Sequence, residues 1–512
     1  MDFLEVIRAS EGYQQKLLAD PYRPGYHFAC PGDNGCPGDP NGAFFADGVY
    51  HLMYLYHNHA ERAFHWGHLS SLDLLHWRRH PDALTIDNGD GGCYSGGAFL
   101  DDDGTAFLTY WKFPSVNNTP DCGGIQIAFS RPPYDVWERI CPIAIESRPD
   151  MWGVTDLTVD GEEFHTGSAD PSNIWKRDGW YYMQVGNLIV LDQFGRQPDS
   201  GDSYRGGWTE LYRSRDMRQW EFRGRFYKQP EGEDMPDATE DDMCPSYLPL
   251  PNKKSGGNLT DSMLQLFIAH NKGAQYFIGK EVNERLLIEK HGRMSWKDNS
   301  CFAPEALIDD KNRQISWFWL LDDDPESFFV RDGWSGIFSF PRCFWLEDDE
   351  LHMAPVDELD RICFNNKLIS VGLVNDFMTI PVVNGKSCRI RACISQGDSS
   401  YAAFRVMADE NGAEYTEVGV DFQTKTLYFD ATMSGATGRR IREEAPFALK
   451  DGEVLNIDIF VDKSIVEVYV NERQAICRRV FPASTSVFAH AISNGADFGV
   501  VRVCEVFPTN FY

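Results

Sequence analysis

Along most of this chain, apolar and polar residues alternate over short runs that break at Gly, Pro, Asn or Asp. That is the pattern of half-buried β-strands separated by turns. Ala106-Phe107-Leu108-Thr109-Tyr110-Trp111, Trp180 to Val185, Leu264 to Ala269 and Ile315 to Leu320 are runs of this kind. The clearest stretch with helical spacing is short and N-terminal, from Phe3 to Leu18. The strand signals come in units. Asp73-Leu74-Leu75-His76-Trp77 and Asp216-Met217-Arg218-Gln219-Trp220 are two copies of an Asp-x-x-x-Trp turn, each following a serine-bearing strand, Leu69-Ser70-Ser71 and Tyr212-Arg213-Ser214. Radial repetition of four-stranded blades produces such copies. After about residue 350 the aromatic runs give way to longer Val/Ile strands. Leu455 to Asp462 and Ser464 to Val470 alternate cleanly around a hairpin turn at Asp462-Lys463, as in a separate β-sandwich. The predicted fold class is therefore all-β: a β-propeller over residues 1–355, with the short N-terminal helix included, followed by a C-terminal β-sandwich over residues 356–512.

Composition narrows the partners. The net charge of −29 repels nucleic acid and anionic membranes and suits a neutral or cationic small molecule. No apolar run is long enough to span a bilayer, and Met1-Asp2-Phe3-Leu4-Glu5 lacks the basic start and apolar stretch of a signal peptide, so a cytoplasmic protein is expected. The thirteen cysteines include no Cys-x-x-Cys pair, which predicts free thiols, mostly buried, and no metal site or cofactor. Aromatic residues reach 13 %, a proportion that serves cores and also suits sugar-binding clefts. Oligomeric state is not legible.

One loop stands out for chemistry. Gly38-Asp39-Pro40-Asn41-Gly42 precedes the aromatic strand Val49 to Tyr56. Pro40 fixes one backbone angle and Gly42 permits another, so the loop can hold the Asp39 carboxylate in one place. Asp-Pro-Asn-Gly is also an ordinary turn sequence, and on its own it reads first as a turn.

An ordered series follows: Trp66-Gly67-His68, Ser71 to Trp77, Tyr94-Ser95-Gly96-Gly97-Ala98, Asp170-Pro171, Cys244-Pro245, Phe302-Ala303-Pro304-Glu305 and Trp334 to Arg342. Together with the Asp39 loop and the C-terminal stretch Phe460 to Asn471, it resembles glycoside hydrolase family 32, the invertase and fructan-hydrolase family, over nearly the whole chain. The resemblance implies five blades, a funnel on the propeller axis and retaining chemistry at a furanoside. By it, Asp39 matches the nucleophile and Asp170 the aspartate that stabilises the transition state. Such a reaction pairs a nucleophilic carboxylate with a carboxylic acid about 5 Å away, which serves first as acid and then as base. Trp66, Tyr94 and Ser95 become candidate sugar-binding residues, His68 is expected to pack locally, and Glu305 is expected to orient other carboxylates or to serve structure.

The departures are specific. The family carries Asn where Gly38 stands, Gln where Leu55 stands and Arg where Ala169 stands, and these side chains contact the terminal fructose as the family is understood. It also places the acid/base Glu directly before Cys-Pro, where this chain has Met243. The neighbouring Glu240-Asp241-Asp242 offers substitutes. Glu240 is favoured for its reach and residue type, and Asp241 is second because a regular strand would put it on the face of Met243. Arg293 is a candidate for the cationic contact that Ala169 lacks. Three functions fit: a retaining glycosidase acting on sucrose or fructo-oligosaccharides, a hydrolase or transferase for a different furanoside or fructose-containing disaccharide, and a carbohydrate-binding propeller without activity.

Overall fold

The computed structural model describes residues 15–29, 37–58, 60–115, 122–149, 151–159, 161–187, 207–230, 240–321, 334–483 and 485–510, with isolated positions 12, 232, 235 and 236. Most of the expected N-terminal helix lies outside them; residues 15–19 are helical. Among the described residues, five antiparallel sheets follow one another along the chain as propeller blades, with a hairpin, Val154–Val159 with Glu162–Gly167, beside them. Blade 1 runs Pro37–Ala46, Val49–Asn58, Ala63–Ser71 and Trp77–Arg79; blade 4 runs Met243–Lys253, Gly256–Ala269, Gly273–Val282 and Arg285–Arg293. In each of these the first strand is innermost and the last outermost. The inner strands of blades 2, 3 and 5 are Gly92–Cys93 with Ala98–Leu100, Ala169–Pro171, and Cys301–Ile308. Blade 5 closes on blade 1, where Tyr50 donates to Asp309 at 3.1 Å and accepts from Arg313 at 2.7 Å.

The two Asp-x-x-x-Trp copies occupy the same place, the turn between the third and fourth strands of blades 1 and 3. In each, one aspartate oxygen accepts two backbone N–H groups, those of Leu75 and His76 at Asp73 and those of Arg218 and Gln219 at Asp216. The residue after the aspartate has φ of 63° in both, Leu74 and Met217. Blade 2 holds a third version, Arg131-Pro132-Pro133-Tyr134-Asp135-Val136-Trp137. There Trp137 Nε1 donates to the Tyr134 carbonyl as Trp220 Nε1 does to Met217, and Tyr134 again has positive φ. The two prolines hide that copy from a pattern search.

The sandwich packs a sheet containing Cys363–Ser370, Ser387–Ile394, Leu455–Asp462, Ile465–Val470, Gln474–Arg479 and Val500–Val506 against a second six-stranded sheet. Its core is Val, Ile, Leu and Phe from both inner faces, including Ile390, Phe404, Val418, Ile459 and Val468, all essentially without solvent contact. Every described cysteine is a free thiol, with Cys141 and Cys393 alone among them exposed. No helix among the described residues is long and apolar enough to cross a membrane.

Candidate active site on the propeller axis

Four inner strands carry the same three-residue pattern at or one residue after their start, any residue, a small or acidic one, then proline: Gly38-Asp39-Pro40, Ala169-Asp170-Pro171, Met243-Cys244-Pro245 and Phe302-Ala303-Pro304. Proline gives the ladder no N–H, and the pairing register slips at each of these places. The residue before proline is held at positive φ in three of them: 40° at Asp170, 48° at Cys244 and 22° at Ala303. Sparsely populated angles of this kind persist where surrounding structure holds them, and they cluster at functional sites. Blade 2 contributes Ser95 from the gap between its two short inner strands. Asp39 from blade 1, Ser95 from blade 2, Asp170 from blade 3 and Cys244 from blade 4 meet. Ser95 Oγ donates to Asp39 Oδ2, while the Cys244 thiol donates to Asp170 Oδ2 at 3.2 Å and lies 3.7 Å from Asp39 Oδ2.

Both carboxylates are buried, each 7 % exposed. Burial raises the Asp39 pKa, opposed by the Ser95 and Cys244 hydrogen bonds and by the charge of His270. Asp170 is pushed up to about 7, by burial first and then by the charge of Asp39. The folded state favours protonated Asp170, so its contribution to stability is present below the ordinary aspartate pKa and is lost as pH rises through about 7. Asp170→Asn removes that loss. Its melting temperature should match wild type near pH 4 and exceed it by about 2 °C or more at pH 8, measured by calorimetry across that range. An unchanged difference at the two pH values would contradict the raised Asp170 pKa.

Glu305 lies behind the Asp39 loop. Its carboxyl accepts the N–H groups of Ala306, Gly42 and Ala43, and burial pushes its pKa up to about 8 against those bonds. It thus ties blade 5 to the loop that carries Asp39. Trp66, expected as a wall of the sugar pocket, has no solvent contact. Its indole N–H donates to the Tyr94 carbonyl at 3.1 Å, and a Cβ added to Gly42 would sit 3.0 Å from its ring and 2.9 Å from Leu108 Cδ2. With φ at 54°, position 42 admits glycine only, and Trp66 is the floor under the loop. Tyr94 is half-buried in an aromatic row with Phe113 at 4.1 Å, Phe64 at 4.9 Å and Trp111 at 5.6 Å, which continues edge-on from Phe113 to the exposed Trp152. His68 is fully buried and hydrogen-bonded to His51 at 2.9 Å.

The acidic segment divides into three different environments. Glu240, the favoured acid/base from the sequence, and Arg293, the favoured sugar contact, bind each other: two guanidinium bonds of 3.0 and 2.9 Å, with Gln275 Nε2 donating at 2.6 Å. Both carboxylate oxygens are engaged and Glu240 is 1 % exposed, so the structure places the two on each other within blade 4. Arg293→Ala should accordingly act on stability, costing about 2 kcal/mol because it strands a buried carboxylate. Adding Glu240→Gln should recover most of that loss in a denaturant titration. Burial raises the Asp242 pKa well above the usual carboxylate range, opposed by the hydrogen bond from the Tyr227 hydroxyl and reinforced by the charges of Asp241 and Glu240. Asp241, the second choice, is fully buried and accepts from His270 twice, from the backbone N–H at 2.9 Å and from Nδ1 at 2.6 Å.

His270 escaped the sequence reading. It sits in the turn after Gly256–Ala269, and the signal is the strand register: Met243 pairs with Ile268, so two residues further out Asp241 comes opposite His270. The four departures also fall into two neighbouring pairs. Gly38 faces Leu55 across blade 1, with Leu55 atoms 3.6 and 3.9 Å from where a Cβ would stand. Ala169 pairs with Gly186, onto which Met243 packs its sulfur. In each pair both residues are apolar or side-chain-free where the resemblance implies polar ones, so neither leaves a buried polar group alone.

Residues 27–355 match the family model for the glycosyl hydrolases family 32 N-terminal domain, and residues 363–506 match the model for the C-terminal one. The chain is 25 % identical to an insoluble β-fructofuranosidase isoenzyme of Arabidopsis thaliana, over 92 % of this chain and 86 % of that protein. It is 24 % identical to a sucrose-6-phosphate hydrolase of Zymomonas mobilis, over 95 % and 92 %. Its fold superimposes on fructan 1-exohydrolase IIa of Cichorium intybus with a TM-score of 0.78 at 19 % identity, covering 96 % of this chain and 98 % of that one. With both halves of the family matched in order, and with paired aspartates where the inner strands converge, this chain belongs to glycosyl hydrolase family 32.

Proposed function

We propose that the protein hydrolyses β-fructofuranosides, sucrose or short fructo-oligosaccharides, with retention of configuration. Asp39 is the nucleophile, and Asp170 binds sugar hydroxyls and stabilises the transition state. The observation that carries this reading is the meeting of Asp39 and Asp170 at the Cys244 thiol, both buried at the convergence of the inner strands. A carboxylate so placed can attack the anomeric carbon and hold the sugar as an ester until water releases it. The neighbouring Asp170 answers charge developing on the ring, and burial strengthens that interaction by excluding water. The related β-fructofuranosidase and sucrose-6-phosphate hydrolase support the substrate class.

A second reading, a different furanoside in the same pocket, draws on the two exchanged pairs. Gly38 with Leu55, and Ala169 with Met243, make the surroundings of the two aspartates more apolar than the family pattern. Sugar release from sucrose, 1-kestose, inulin, levan and a set of pentofuranosides separates the two. Fructose from the first group supports fructofuranosidase activity, and pentose release without fructose supports the second reading.

A further inference from the structure

Resting on the hydrolase reading, we infer that His270, held by the buried Asp241, is the general acid/base of this protein and takes the place of the glutamate that Met243 has displaced. Met243 carries no proton, is 1 % exposed and lies in the core. Glu240 is engaged by Arg293 and Gln275, and Asp242 is buried against Tyr227. Asp241 has no solvent contact and spends both its oxygens on His270. His270 is the one member of this group that combines an anchored ring with access: its side chain is 47 % exposed, with Nδ1 fixed on Asp241 and Nε2 left for other chemistry. The ring is edge-on to Phe302, the residue before Ala303 on the inner strand of blade 5, with centroids 5.9 Å apart. Asn299 fixes the backbone by donating to the His270 carbonyl at 2.9 Å.

The charged groups that act on the imidazole are Asp241 beside it, Asp170 of blade 3 and Asp39 of blade 1. Burial lowers its pKa, but the Asp241 hydrogen bond, with the Asp241 charge and the nearby Asp170 and Asp39, outweighs burial and raises it. A raised imidazole pKa suits a group that must give up a proton in the first step. In that step an Asp39 oxygen bonds to the anomeric carbon of fructose as the bond from that carbon to the glycosidic oxygen breaks. The Nε2 proton passes to the departing oxygen, leaving neutral imidazole. In the second step water bonds to the same carbon and gives a proton to Nε2 as the Asp39 ester bond breaks. Carboxylate and imidazolium are restored. Asp241 is a positioning residue: it fixes the tautomer, as a carboxylate does for a catalytic histidine elsewhere.

The test compares two substrates in one preparation, so the ratio does not depend on how much of a variant folds. Sucrose needs a protonated leaving oxygen, whereas β-D-fructofuranosyl fluoride needs little acid help. His270→Gln should lower kcat/KM for sucrose by about 100- to 10,000-fold, lower it for the fluoride less than tenfold, and release fructosyl azide when azide replaces water. Asp241→Asn should narrow and shift the pH profile on sucrose while sparing the fluoride. An equal loss on both substrates, or no loss on sucrose, would overturn the assignment while leaving the hydrolase reading intact. A wild-type protein that turns over neither substrate would overturn the fructosidase reading and this inference with it.

Discussion

Replacing Asp39 by asparagine should lower kcat/KM for sucrose by about 10,000-fold or more, in an otherwise folded protein. The estimate follows from removing the atom that forms the covalent bond, since loss of a nucleophile leaves only binding and orientation to act. Asparagine keeps the size of the side chain and can still accept from Ser95 and Cys244, so the loop held by Pro40, Gly42, Trp66 and Glu305 has no reason to move. Stability should hold or rise, because burial disfavours the Asp39 charge and that charge in turn acts on Asp170. A variant that kept activity within tenfold would move the nucleophile to another residue. Steady-state kinetics and a melting curve on the same sample distinguish loss of chemistry from loss of fold.

The second large effect belongs to stability. Asp462→Ala should destabilise the protein by about 3–5 kcal/mol. Asp462 stands at the end of Leu455–Asp462 with no solvent contact. One carboxylate oxygen accepts the Gly25 N–H at 2.7 Å, and the other accepts the N–H groups of Tyr26 and His27 at 2.9 and 2.8 Å and Nδ1 of His27 at 3.0 Å. Five residues on, Glu467 takes Nε2 of His27 at 3.3 Å, the Phe340 N–H at 2.8 Å and the Tyr469 hydroxyl. His27 therefore bridges two sandwich carboxylates, and Glu467 binds the segment that leads into the last two strands of blade 5. Burial would raise the Glu467 pKa, but the His27 hydrogen bond and the Arg342 charge hold it down at about 2. Alanine at 462 leaves three backbone donors and Nδ1 of His27 without their acceptor inside the protein. Equilibrium denaturation measures the loss, and a change below 1 kcal/mol would show that this clamp does not join the two halves.

These two residues mark how far the sequence could be read. The C-terminal stretch containing Asp462 and Glu467 was legible as a hairpin by alternation alone, because strand periodicity is local. Its work on Gly25 to His27 spans more than 400 residues and leaves no local trace. The same limit explains the acid. Glu240 carries the residue type the chemistry asks for, and Arg293 carries the charge that Ala169 lacks. Each was plausible alone, and only the pairing of blade 4 brings them onto each other. Trp66 sits in a polar, glycine-bearing stretch that suits a ligand wall, and its burial depends on Leu108 and Tyr94 of the next blade. The proline pattern at Asp39, Asp170, Cys244 and Ala303 was present throughout, but it becomes a signal only when the four strand starts are aligned. What was local and periodic was readable, and what depended on neighbouring blades was not.

The most direct test is to catch the sugar on Asp39. Wild-type protein turning over β-D-fructofuranosyl fluoride, quenched in acid and digested, should yield the peptide containing Asp39 with the added mass of one fructosyl group. The same peptide from Asp39→Asn should be unmodified. A fructosyl group on Asp170, Asp241 or Glu240, or active turnover with no adduct on Asp39, would contradict the account.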